Sequence, residues 1–311
     1  MTPRTALLFP GQGSQFVGMG LALAESEPQA RALFEAADEL LGFSLTRVMW
    51  EGPESELTLT RNAQPALLLH SMAVFSVLRE RIGPVAAAAG HSLGEFSAHV
   101  AAGTISLEDG LRAVRLRGEA MAAAGSARPG MMAAIIGMGE EEVIGLCREV
   151  AGEAEATLVP ANFNAEGQVV VSGDRRAIEL LIETGSARGV RRIIPLQVSG
   201  AFHSPLMEPA QEALRHCLDR VNFQPPRVPV LSNVTAAPAL EPDQIRELLV
   251  RQVTAPVRWS ATIAAMLEMG VEQFIEVGPG TVLAGLNRRN ARDARTVSIG
   301  GPSEFEHLEN G

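Results

Sequence analysis

Val85-Ala86-Ala87-Ala88-Ala89-Gly90-His91-Ser92-Leu93-Gly94-Glu95 is the stretch from which the fold is read. An apolar run, Val85 to Ala89, has the length of a buried strand, and Glu95 to Ala102 continues with helix-compatible residues. Between them Gly90-His91-Ser92-Leu93-Gly94 fits G-x-S-x-G, a sharp strand-to-helix elbow that lifts a serine hydroxyl clear of the backbone. The helix behind such an elbow points unpaired N–H groups and its positive dipole end at the serine, a setting suited to a developing oxyanion. The bland alternative is a Gly-rich turn whose serine only caps the helix. A strand in front and a helix behind favour the catalytic reading.

Outward from the elbow, the N-terminal third alternates strand-like and helix-like segments. Thr5–Phe9 reads as a strand, and Ala30–Leu41 and Pro65–Arg81 as helices. That is α/β patterning around a largely parallel sheet. The middle changes character: strand-like Gly130–Met138, helical Glu140–Val150, strands over Thr157–Asn162 and Gln168–Ser172, helical Asp174–Arg188, then strand-like Arg192–Val198. The order β-α-β-β-α-β is that of a ferredoxin-like unit. The linker Ala124–Gly130 opens it and Ser199-Gly200 closes it, which places an inserted small domain at 128–198 and a discontinuous main domain at 1–127 and 199–311. Strands at Pro229–Ser232 and Gln273–Val277 resume the α/β pattern, and the polar tail beyond Gly300 is expected to be poorly ordered.

Composition narrows the chemistry. With 311 residues, 46% of them hydrophobic, the chain can bury a large core and a satellite one. A net charge of −10 argues against wholesale binding to nucleic acid or to an anionic membrane. No apolar run reaches the roughly 18 residues of a membrane span, and no basic-then-apolar signal pattern opens the chain. Cys147 and Cys217 form neither a disulfide framework nor a ligand cluster, so a cytoplasmic setting is expected. Every basic residue is an arginine. Without lysine there is no Walker loop, Schiff base or Ser-Lys dyad. Gly11-Gln12-Gly13 is not a dinucleotide loop, because Phe16 stands where the third glycine belongs. No H-E-x-x-H or paired Cys motif occurs, so neither a metal nor a cofactor is expected.

A serine hydroxyl needs a base, usually histidine. His91 adjoins Ser92, but neighbouring side chains diverge at a tight elbow, so it is placed to line the site. His99 lies two turns along the same helix, His70 and His216 sit in helix-like stretches, and His307 belongs to the tail. His203 follows Ser199-Gly200-Ala201-Phe202 where the chain re-enters the main domain, and such junctions form clefts. No carboxylate offers itself as a third triad member. A dyad whose imidazole is oriented by a backbone carbonyl therefore stays open.

At this point the residues resemble a known family. Phe9-Pro10-Gly11-Gln12-Gly13-Ser14-Gln15, Gly90-His91-Ser92-Leu93-Gly94-Glu95 and Gly200-Ala201-Phe202-His203-Ser204 are similar to the motifs of malonyl-CoA:acyl carrier protein transacylases. Further matches are Ala63-Gln64-Pro65-Ala66, Arg117-Gly118, Ala255-Pro256-Val257-Arg258-Trp259 and Glu276-Val277-Gly278-Pro279-Gly280, so the resemblance runs from about Leu7 to Leu286. It implies an α/β-hydrolase-like domain carrying a ferredoxin-like insert. It implies Ser92 as acylated nucleophile, His203 as base, the N–H groups of Gln12 and Leu93 as oxyanion hole, and the Gln252 carbonyl as the acceptor that orients His203. Arg117 would fork onto a malonyl carboxylate, which lysine could not do equally. Phe202 would leave little room for a methyl branch; relatives with serine before the histidine take the branched unit.

The implied activity is ping-pong transfer of malonyl from malonyl-CoA to the phosphopantetheine thiol of a separate acyl carrier protein, by a monomeric enzyme of fatty acid or polyketide synthesis. Thioester exchange is near thermoneutral and calls for no ATP or metal. A carrier of this kind is acidic, so Arg191-Arg192, Arg288-Arg289 and Arg292 are candidates for a locally basic docking patch. The rivals are a thioesterase or esterase, which a requirement for Arg117 disfavours, and a non-catalytic carrier-docking module, which an intact Ser92 and His203 disfavour.

Overall fold

The computed structural model describes residues 3–308. Its main sheet has six strands in the order β10-β9-β1-β2-β7-β8. These are β1 (Thr5–Phe9), β2 (Val85–Gly90), β7 (Val230–Leu231), β8 (Pro238–Ala239), β9 (Gln273–Val277) and β10 (Arg295–Ile299). All neighbours run parallel except β7 and β8. Successive side chains of a strand face opposite ways. Leu7, Phe9 and Ala88 accordingly join the larger core, while Ala6, Leu8, Ala87 and Ala89 join the one built around Trp259 and Ile263. A sheet buried on both faces explains why β2 reads as an unbroken apolar run.

The second sheet is antiparallel, in the order β4-β5-β3-β6: β3 (Gly130–Ile136), β4 (Leu158–Ala165), β5 (Gln168–Asp174) and β6 (Arg192–Pro195). Its connections carry the helices Glu140–Ala154 and Arg175–Thr184. Alternation again decides the packing. Ala133, Ile135, Val169 and Val171 face those helices in a core of their own, whereas Met132, Ala134 and Val170 face the main body. Backbone pairing also joins the two parts: Phe163 N–H donates to the Val257 carbonyl (2.9 Å) and Val257 N–H to that of Ala161 (2.8 Å).

Several boundaries differ from the sequence reading. Pro65 does not open its helix but lies inside Thr60–Leu78. The expected linker Ala124–Gly130 is helical as far as Ala127, the end of the long helix Leu107–Ala127, which alanines favour over the loop suggested by its glycine and serine. The helix after β5 stops at Thr184 and β6 at Pro195, both short of Arg188 and Val198. The tail is ordered as far as Leu308, its last three residues lying outside the described ones: a 3-10 segment, Pro302–Leu308, buries Phe305, and Arg81 stacks its guanidinium on that ring at 4.6 Å. The edge strand β10 had escaped the sequence reading because Arg295-Thr296-Val297-Ser298-Ile299 is short and half polar.

Candidate active site

Steric necessity makes the elbow. A Cβ on Gly90 would fall 1.8 Å from the Gly94 carbonyl carbon, and one on Gly94 would fall 2.1 Å from the Phe9 carbonyl oxygen. Both positions require glycine because strand and helix almost touch. Between them Ser92 is held at φ 51°, a left-handed conformation that non-glycine residues seldom adopt. Asn233, just beyond β7, secures the turn. Its Oδ1 accepts the Ser92 N–H (2.7 Å) and its Nδ2 donates to the Gly90 carbonyl (2.7 Å).

His203 also has a positive φ, 56°, in the loop that follows β6. Its Nε2 lies 2.7 Å from Ser92 Oγ, and its Nδ1 faces the carbonyls of Gln252 (2.8 Å) and Ala255 (3.2 Å). With two acceptors at Nδ1, that nitrogen carries the hydrogen and Nε2 is free to take a proton from serine. Burial, reinforced by the nearby Arg117 charge, lowers the His203 pKa to about 3, so the ring is neutral at pH 7.

Arg117 reaches the same hydroxyl from the helix Leu107–Ala127. The side chain is buried, with NH2 3.2 Å from Ser92 Oγ and 3.0 Å from Gln252 Oε1, and NH1 2.8 Å from Gln64 Oε1. The two glutamine carbonyls hold the guanidinium plane against the nucleophile. Gln12 and Leu93 flank the site on the β1 and elbow loops. Among the described residues neither backbone N–H has an acceptor. Gly11 lets the Gln12 loop approach, since a Cβ there would meet the His91 carbonyl oxygen at 2.5 Å.

A serine, a buried neutral histidine and a buried arginine now share one hydroxyl, and the matches to known proteins follow that geometry. The acyl transferase domain family matches residues 6–301. The chain belongs to that family. The acyltransferase is 45% identical, over 303 residues, to the malonyl CoA-acyl carrier protein transacylase of Bacillus subtilis, covering 97% of this chain and 95% of that one. The acyl-carrier-protein-S-malonyltransferase from Bartonella henselae superposes with a TM-score of 0.94 at 44% identity, covering 99% of this chain and 98% of that one. A structure of a type II PKS acyl-carrier protein in complex with its malonyl-transacylase gives a TM-score of 0.93 at 39% identity, covering 99% of this chain and 100% of the other.

Of the eight residues expected from the sequence, seven lie at the elbow or on the segments that meet it, and Arg117 reaches the same place from within the helix Leu107–Ala127. His91 turns from Ser92 and bonds Asn164 Oδ1 on β4 through Nε2 (2.8 Å), its ring 5.4 Å from that of Trp259. Phe202 is buried beside the base. His99 is buried near Thr104 and His216 pairs with Glu212, away from the serine. His70 is wholly buried without a side-chain partner, which its apolar helix context did not foretell. Arg191, Arg192, Arg288, Arg289 and Arg292 are exposed. The sequence reading missed Asn233, and it left Gln64 and Glu95 without roles. Asn233 gives only a faint signal, a polar residue directly after a short strand. Gln64 and Glu95, inside matched motifs, were visible but carry no chemistry until their partners are known.

Proposed function

We propose that the acyltransferase moves a malonyl group from malonyl-CoA to the phosphopantetheine thiol of an acyl carrier protein through a malonyl-serine. One observation carries this reading: Arg117 and His203 converge on Ser92 Oγ, at 3.2 and 2.7 Å. A hydrolase of simple esters has no use for a buried cation beside its nucleophile. A carboxylate-bearing acyl group does, because the guanidinium offers it a charge-assisted fork.

The cycle follows from the geometry. Ser92 Oγ attacks the thioester carbonyl carbon while His203 Nε2 takes the hydroxyl proton. The carbonyl π pair becomes an oxyanion facing the Gln12 and Leu93 N–H groups. Collapse breaks the carbon–sulfur bond, and the departing sulfur receives the proton from His203 as the CoA thiol forms. The carrier thiol then gives its proton to His203 Nε2 and attacks the acyl-serine carbonyl; the ester carbon–oxygen bond breaks, Ser92 Oγ takes the proton back from His203, and the malonyl group leaves as the carrier thioester. The Gln252 carbonyl keeps the imidazole in the required tautomer throughout, a role an acid fills in a triad. Phe202, beside the base, narrows the space for a branched acyl group.

We read the antiparallel unit as a ferredoxin-like insert, residues 128–198, in an α/β-hydrolase-like body of residues 1–127 and 199–311. The strand order and the alternation of its two faces support that division. The protein acts as a cytoplasmic monomer without cofactor in this reading, and exposed arginines 191, 192, 288, 289 and 292 receive the acidic carrier.

Incubation with malonyl-CoA alone should add one malonyl group to Ser92, seen by intact mass and peptide mapping. Ser92→Ala should abolish it, and His203→Ala should slow it by about 10²–10⁴-fold, the usual contribution of a general base. Arg117→Ala should lose malonyl transfer while its relative acceptance of acetyl-CoA rises. Malonyl on another residue would overturn the mechanism.

A further inference from the structure

Arg117 takes a full charge into the interior, yet none of its direct partners is a carboxylate. Gln64, Gln252 and Ser92 are all neutral acceptors. A buried charge without a counter-charge is costly. The missing acid sits at the far end of one of those amides. Gln252 accepts from Arg117 with Oε1 and donates with Nε2 to Glu95 Oε2 at 2.6 Å and to the Ser92 carbonyl at 2.9 Å. Glu95, one residue past the elbow, is wholly buried and also receives the Asn233 N–H at 3.1 Å. Three side chains thus stand in line: guanidinium, amide, carboxylate.

We propose that Glu95 is the resident counter-charge of Arg117, held one amide away so that the guanidinium stays open to the carboxylate of the acyl group. A direct Arg117–Glu95 pair would fill the fork with the protein's own acid. Placing Gln252 between them keeps most of the electrostatic balance and leaves the fork to the substrate. Glu95 touches neither substrate nor nucleophile and is a positioning residue. It holds Gln252, and through it the guanidinium, the Ser92 carbonyl and the residue whose main chain orients His203.

The arrangement makes malonyl binding sensitive to a proton. The empty centre holds one positive and one negative charge, and an arriving carboxylate adds a second negative. Protonating Glu95 removes the excess. Burial already pushes its carboxyl up to about 7, with Gln252, Asn233 and the Arg117 charge holding it down. A malonyl carboxylate on Arg117 weakens that last restraint. The other titratable groups of the centre are His203 from the loop behind the insert, His91 from the elbow and His99 on the helix that bears Glu95. Burial lowers all three, so they stay neutral above pH 7.

The inference rests on the malonyl reading, and one set of kinetics separates the two. KM for malonyl-CoA should rise above about pH 7, by up to about tenfold per pH unit for a single coupled proton, with kcat moving less. The inhibition constant of acetyl-CoA, which lacks the carboxylate, should stay flat. In Glu95→Gln the malonyl KM should lose its pH dependence, and the preference for malonyl over acetyl should grow because Arg117 is left without its counter-charge. Should that variant fail to fold, the wild-type profile still decides. Glu95→Asp adds a further arm: it keeps the charge but withdraws from Gln252, so it should keep the pH dependence while kcat falls. A flat malonyl KM in the wild type, or an unchanged rise in Glu95→Gln, overturns the role of Glu95 while leaving the function intact. No malonyl on Ser92 at any pH overturns both.

Discussion

The antiparallel sheet with its two helices and the elbow are both buried, but they are buried in opposite ways. Ile135, Val143, Val150, Val171, Ile178 and Leu181 fill the antiparallel unit's core with side chains that have no hydrogen bonds to make. Around Ser92 the interior holds Arg117, Glu95, Gln64, Gln252, Asn233 and His203, joined by hydrogen bonds of 2.6 to 3.2 Å. Two residues there also sit at positive φ, Ser92 and His203, which costs of order 1–3 kcal/mol each. The antiparallel unit is packed to be stable; the elbow is packed to hold charge and strain in a fixed place, and it draws on the surrounding sheet to do so. Damage to the two regions should therefore look different.

The largest effect is expected at Gly94. The Phe9 carbonyl that an added Cβ would strike belongs to β1, in the middle of the parallel sheet, and backbone there has no room to yield. Gly94→Ala should lose at least about 4 kcal/mol of stability, the range reached only by severe steric or core defects. Chemical denaturation reads this, and a midpoint near that of the parent would show that strand and helix are less tightly opposed than the structure indicates.

The same contrast explains what could be read from the chain. Gly90-His91-Ser92-Leu93-Gly94 declared the elbow because its glycines are forced by local geometry, and the β-α-β-β-α-β order was legible because each element keeps its own period. His203 was legible from its place at a junction, although its pairing with Ser92 spans 111 positions and only the fold can close it. Glu95 and Asn233 stayed silent for a different reason. Their roles exist only where elbow, β7 and the Gln252 turn meet, and no local pattern marks such a meeting. Arg117 lies between: among the arginines of its helix nothing in its spacing sets it apart, and its motif context alone suggested the substrate. Phe305 was missed because one apolar residue in a polar tail has no period at all.

An intermediate effect is expected in the antiparallel unit. Leu181 is fully buried between the Arg175–Thr184 helix and the antiparallel sheet. Leu181→Ala should cost about 2–5 kcal/mol through lost burial and the cavity left behind. Its acylation rate with malonyl-CoA, below the unfolding transition, should stay within about twofold of the parent, as distant sites without shared partners act independently. A tenfold or larger fall in rate while the protein remains folded would tie the antiparallel unit's core to the geometry at Ser92, through β4 and its pairing with Val257, and the division of labour would fail.

The smallest effect separates the two regions by acid. All six histidines lie outside the antiparallel unit, and four of them, His70, His91, His99 and His203, are buried with lowered pKa values. Each stays neutral in the folded chain but takes a proton when unfolded below its ordinary 6.5. The unfolded state then binds more protons, and stability is lost as pH falls from 6.5. Glu95, which burial raises to about 7, and Glu276, which burial also raises, work the other way, since their folded carboxyls bind the proton first as pH falls. Four groups against two leave a net loss on acidification. His99 isolates one share of it, because it lies off the dyad and burial lowers its pKa to about 3. Between pH 6.5 and about 5 a single such histidine costs about 2 kcal/mol, from 1.36 kcal/mol per unit. His99→Gln should make the acid loss shallower by that amount in urea titrations at the two pH values, whatever it does to stability at neutral pH. Hydrogen exchange at pH 5 should open the amides around the elbow helix before those of β3 and β5. An equal acid loss in His99→Gln and parent would mean that His99 is protonated in the fold, and that the body tolerates buried charge beyond the Arg117 centre.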